Sequence, residues 1–268
     1  MRIVFSAITT ASLLAVAAPA AAQQTPGRVE ERANPFGLSF STGIDYSSGD
    51  YGLDENTKIL VVPFTLRATT GNLAFTASLP YLSIDGPGGV VVGPGGEPLP
   101  GVPTEGGKRD GIGDLSLGAT YTIPAANLGG AELALGGRVK LPTSSRDQQL
   151  STGKTDFSVS GDLSFPMGNV VPFVNLGYRW LGDPEGADLR NGPTASVGSS
   201  FVLGQSVLIA SYDYARATSR LTEDSHEIFA GLSAPVSSAF TMTGYGVAGL
   251  SKGSPDFGLG VLLTAKVF

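Results

Sequence analysis

The 268-residue sequence predicts an all-β chain: a single antiparallel transmembrane β-barrel of about 12 strands, with long extracellular loops and short periplasmic turns. Three observations predict it. An export signal opens the chain, yet no later stretch reaches the ~18 consecutive apolar residues that a spanning helix needs. Segment after segment alternates apolar with polar residues at period two. The connections between these segments alternate between long and short. Composition agrees: with 38 Gly and 18 Pro the chain is poor in helix formers, and at 41% hydrophobic it is too apolar for disorder.

Composition also excludes function classes. Without Cys there is no disulfide, thiolate nucleophile or Cys-ligated metal. One His rules out a multi-histidine metal site, and a net charge of −6 gives no electrostatic footprint for nucleic acid. No cofactor, metal or nucleic-acid partner is expected.

The elements follow in order. Residues 1–22 read as a signal peptide: Met1-Arg2 is a short positive start, Ile3 to Ala18 is apolar apart from Ser and Thr, and Pro19 to Ala22 offers a small-residue cleavage site. Residues 23–35 form a periplasmic N-terminal segment, and 36–268 the barrel. The first strand sets Phe36, Leu38, Phe40, Thr42, Ile44 and Tyr46 against Gly37, Ser39, Ser41, Gly43 and Asp45. Further strands are placed near 58–68, 72–84, 114–123, 132–141, 154–165, 170–181, 193–203, 206–216, 226–235, 240–250 and 257–268. Pro63 and Pro172 fall inside strands, where bulges are expected to accommodate them. The 240–250 strand changes parity, with Phe240 and Met242 even but Tyr245 and Val247 odd. Lys266 disturbs the end of the last strand, so the pattern leaves the faces of these two open.

Charges in mid-strand (Asp45, Arg67, Arg138, Asp156, Asp162, Arg179 and Asp213) all sit opposite the apolar set. A soluble barrel would reverse this. The apolar faces also end in aromatics: Tyr46, Tyr81, Tyr178, Trp180, Tyr212 and Tyr214 towards the long loops, and Phe36, Tyr121, Phe165, Phe201 and Phe240 towards the short turns. Two aromatic girdles around an apolar band place that band in lipid. The stretch from Gly86 to Gly107 is low in complexity and so rich in Gly and Pro that neither helix nor strand is expected there. It is expected to be an exposed, mobile loop, with a lid folded over the pore mouth as the alternative.

The segment from Asp110 to Tyr121 (DGIGDLSLGATY) resembles the G-x-G-D-L-x-L-G-A-x-Y segment of the phenol meta-pathway (MetA-pathway) outer-membrane family. Leu141-Pro142-Thr143 with Gly153 to Phe157 resembles that family's L-P-T and G-x-T-D segments, and Asn175 to Tyr178 the strand that follows. The resemblance runs from about Gly111 to the C-terminus. It implies an outer-membrane transporter associated with degradation of aromatic compounds, and hence uptake of small aromatic or other hydrophobic molecules.

Parity then nominates the lumen. Arg138, Lys140, Lys154 and Arg179 cluster on one side, with Arg67 and the acids Asp45, Asp114, Asp156, Asp213 and Glu227 around the wall. Charges of both signs could create a transverse field that selects polar solutes, or could instead close into a salt-bridged, filled interior. Val202, Val207, Ile209, Phe229, Tyr245 and Val247 point inward if parity holds, giving one charged and one apolar wall suited to an amphiphilic aromatic solute. The long loops carry 14 acids against six bases. They form a solvated acidic surface or a rim that bridges to lipopolysaccharide through divalent cations. A hydrolase would have His226 as its sole candidate base, and nothing marks its orienting partner or an oxyanion site. The expected function is thus passive uptake of small aromatic or hydrophobic compounds, with a general or structural barrel of filled lumen as the alternative. The expected partners are outer-membrane lipid and lipopolysaccharide, the solute, and the barrel-assembly machinery during insertion.

Overall fold

The computed structural model describes residues 36–93, 97–220 and 222–268. The signal peptide and the periplasmic segment lie outside the described residues. The strands are β1 (Gly37–Gly49), β2 (Thr57–Thr70), β3 (Leu73–Gly86), β4 (Val90–Val92), β5 (Pro98–Pro100), β6 (Gly107–Ile112), β7 (Leu115–Ile123), β8 (Glu132–Leu141), β9 (Asp156–Ser164), β10 (Val170–Trp180), β11 (Gly192–Leu203), β12 (Ser206–Ala215), β13 (Ser225–Pro235), β14 (Phe240–Gly249) and β15 (Phe257–Lys266). Each pairs antiparallel with its neighbours, β15 pairs with β1, and β2 with β3, which closes the sheet. Because β6 and β7 pair with successive parts of β3 as one interrupted strand, the barrel has twelve staves. Closing the sheet removes the pair of open edges along its first and last staves, which lipid cannot tolerate.

The faces follow the charges as expected. Asp45, Asp156, Asp162, Asp213 and Glu227 are buried on the inside, while Ile44, Leu176, Val197, Leu259 and Val261 are more than half exposed on the outside. Tyr178 stacks near Trp180 (ring centroids 4.8 Å apart) and Tyr46 near Phe257 (6.0 Å), both at the long-loop end of the band. Phe36, Tyr121, Phe165 and Phe240 stay exposed at the other. The parity of β14 does not change. Phe240 and Met242 face outward, while Tyr245 and Val247 are buried inward, so its apolar residues simply occupy both faces. On β15 the odd residues from Phe257 to Leu263 face outward.

Two expectations are corrected. Neither Pro63 nor Pro172 sits in a bulge. The β1–β2 ladder skips from Thr42↔Phe64 to Asp45↔Val61 without changing register, and β10 pairs with β11 straight through Pro172. A skipped bond suffices because only one N–H is missing at each proline. A one-residue bulge does occur at Gly113–Asp114, where the register against β3 shifts between β6 and β7 and Gly113 N–H donates to Pro80 O (2.8 Å). It lets both Ile112 and Leu115 face outward and turns Asp114 to the inside.

The second correction concerns the Gly- and Pro-rich loop. Among its described residues, 88–93 and 97–102 are not an exposed loop. β4 and β5 form a hairpin that folds into the long-loop end of the barrel. Val90 and Val92 pack on Tyr51, Ile59, Val61, Leu82, Ile84 and Leu150, and Val91, Leu99 and Val102 pack on Leu181 and Leu189. The few apolar residues between the Gly and Pro positions are buried, so the lid alternative describes this segment.

Candidate functional site: the lumen

The hairpin is fixed from several sides. Arg109, near the start of β6, donates to Val90 O (3.0 Å) and Gln149 O (2.5 Å). Val92 N–H donates to Leu150 O (3.0 Å), and Thr218 Oγ1 to Pro100 O (3.2 Å). Glu97, at the base of β5, pairs with Arg179 of β10: Nη1 lies 2.9 Å from Oε1, and both side chains are buried. Arg179 Nη2 also donates to Arg216 O (3.2 Å). The space left between Tyr51, Glu97, Arg179, Arg216 and Glu227 is a cavity of about 30 Å³, room for one water. The hairpin is thus seated in the long-loop end of the barrel, against Arg179. Tyr51 holds this corner in a left-handed backbone conformation (φ 51°), with its hydroxyl 3.1 Å from Ser47 Oγ. Period two could not reveal Tyr51 or Glu97, since both lie in connections.

Three of the expected lumen charges are consumed locally. Lys140 Nζ lies 2.5 Å from Asp114 Oδ2 and 3.0 Å from Asp156 Oδ2, and donates to Thr152 Oγ1 (3.2 Å) and Lys154 O (3.0 Å). Asp114 Oδ1 accepts from Ser144 N–H (2.9 Å), and Asp156 Oδ1 from Gly182 N–H (2.8 Å). This buried triad clasps the 142–155 and 181–191 loops to the rim. Lys154 does not join the inner wall: it precedes β9, its side chain is exposed, and only its backbone takes part.

The rest of the wall sorts into two faces. Asp162, Asn175, Ser196, Asp213 and Glu227 face one another across β9 to β13 in one continuous row. Serine hydroxyls hold two of its acids: Ser196 and Ser211 donate to Asp213, and Ser225 to Glu227 (2.7 Å). Phe229, Tyr245, Val247 and Leu262, with Ile209 against them, form an apolar patch on β12 to β15. At its edge Tyr245 donates to Asp45 Oδ2 (2.7 Å). Arg67 and Arg138 face inward and are half-buried. His226 faces outward near the rim, with Nδ1 2.5 Å from the Tyr212 hydroxyl and its ring beside Tyr214.

No curated protein matches the chain. Among solved structures, an outer-membrane channel from Pseudomonas putida F1 superposes with a TM-score of 0.64 at 12% identity, over 90% of this chain and 100% of the other. Outer membrane phospholipase A from Escherichia coli reaches 0.43 at 12% identity (90% and 94% covered). CymD, a monoaromatic hydrocarbon channel, reaches 0.43 at 11% identity (88% of each). At 12% identity the first of these likenesses is one of fold, an outer-membrane β-barrel. The model of one family matches residues 44–261, most of the barrel, and the chain belongs to that family, described as "Putative MetA-pathway of phenol degradation".

Proposed function

We propose that this protein is a passive channel of the outer membrane that admits small aromatic or hydrophobic compounds destined for degradation. The observation that carries it is the inner wall: an apolar patch of Phe229, Tyr245, Val247 and Leu262 beside a continuous row of polar and charged side chains from Asp162 to Glu227. Such a wall contacts a ring on one side and a polar substituent on the other. Family membership supports the reading, as does the name of the Pseudomonas putida channel that shares the fold. Residues 1–22 are removed on export, 23–35 remain in the periplasm, and the assembly machinery inserts the barrel. The acidic loops meet lipopolysaccharide through divalent cations. No catalytic role is proposed for His226, whose ring is engaged by two interfacial tyrosines. The seated hairpin specifically favours the alternative of a closed structural barrel. Uptake of phenol into proteoliposomes separates the two: entry faster than into protein-free vesicles supports the channel, and an unchanged rate assigns the barrel a structural role.

A further inference from the structure

Strand pairing places three arginines in one row on the inner wall. The row runs Arg67–Thr76–Gly118–Arg138–Ser158–Arg179, each residue directly opposite the next on adjacent strands. At about 4.8 Å per strand the arginine Cα positions are roughly 14 Å and 10 Å apart. The row also climbs. Arg67 lies three residues from the short-turn end of β2, Arg138 six from that end of β8, and Arg179 nine from that end of β10. Small residues keep it clear: a Cβ at Gly118 would stand 4.0 Å from Arg138 Nε and 2.7 Å from Thr76 Oγ1, so the Arg138 side chain lies beside position 118, towards Arg67.

Acids share the inner wall with this row. Asp45, Glu132, Asp162, Asp213 and Glu227 are all buried, and hydroxyl donors hold Asp45, Asp213 and Glu227. Arg67 and Arg138 face the lumen and are less fully buried than these acids. Opposite Arg138 is the apolar patch, for β14 is the sixth strand from β8 counted either way round the ring, and Tyr245 lies five residues from its short-turn end. At the top of the row, Arg179 already holds a carboxylate, that of Glu97.

We infer that the row is a binding path for small aromatic carboxylates, and that Glu97 occupies its outermost position as a tethered competitor. This rests on the channel reading above and names its solute class. The guanidinium fork pairs with the carboxylate while the ring meets Phe229 and Tyr245. An incoming carboxylate displaces Glu97 from Arg179, which breaks an ion pair that ties the hairpin to the wall.

The test uses the full-length protein in planar bilayers, with folding of each variant confirmed by its compact migration on unheated gels. Reversal potentials under a sodium benzoate gradient give the permeability of benzoate, and benzylammonium chloride serves as the cationic counterpart. Wild type is expected to favour benzoate over benzylammonium. Arg138→Gln should lower benzoate permeability about tenfold, as loss of a charge-assisted hydrogen bond implies, and Arg138→Lys should retain most of it. Glu97→Gln should raise the benzoate current severalfold. Equal benzoate and benzylammonium permeability, unchanged by Arg138→Gln, would overturn the carboxylate path while leaving a channel. No current from folded wild type or folded Glu97→Gln would overturn both.

Discussion

At the scale of single residues, the most constrained side chain of the barrel is Lys140. It is wholly buried, and two carboxylates and two further oxygens surround its ammonium. Removing one member of a buried ion cluster leaves the others charged and unpaired, which costs about 3–5 kcal/mol. Lys140→Ala is therefore expected to lower the urea midpoint for loss of compact gel migration and to expose the 142–155 loop to protease. Wild-type stability in that variant would contradict the clasp. This cluster also explains the family-like segments: Asp114 lies in GDL and Asp156 in GKTD, and both close on Lys140. Their inward parity was legible in the sequence. Their mutual neutralisation was not, because it depends on a bulge at Gly113–Asp114 and on two loops folding back, neither of which leaves a period-two trace.

At the scale of elements, strands and hairpin are specified by different signals. The staves are long, repeat one period, and are further marked by turns and by charges on one face, so their order and sidedness are legible in the residues alone. β14 obscures its faces because its inward residues Tyr245 and Val247 are as apolar as its outward ones. The β4–β5 hairpin is illegible for the opposite reason. Each of its strands is three residues long, and its seat is built from Tyr51, Leu150, Leu181 and Leu189, which are distant in sequence. Since apolar burial holds it, a charge within it should unseat it. Leu99→Asp places a carboxylate in a fully buried apolar site, and the expected outcome is a higher unitary conductance with barrel stability unchanged. Conductance equal to wild type would show that the hairpin does not obstruct the path.

At the scale of the whole molecule, the charge pattern and the closed sheet combine into one physical statement. An apolar outer band, flanked by aromatic girdles, fits the chain to a bilayer, and the closed ladder satisfies backbone polar groups that lipid would leave unpaired. Inside, a twelve-stranded barrel lies between the small barrels that side chains fill and the large ones that hold a water channel. Here the outer mouth is filled by the hairpin, and below it the wall keeps one arginine row and one apolar patch. This architecture makes the central claim measurable: the lumen conducts, and the β4–β5 hairpin obstructs it. The most direct measurement is single-channel current from the refolded protein, wild type against a variant in which a short Gly-Ser linker replaces 90–100, with phenol added to the chamber. A small or intermittent current in wild type, a larger steady one in the variant, and partial block of the latter by phenol are predicted. A silent bilayer with both folded proteins would contradict the account.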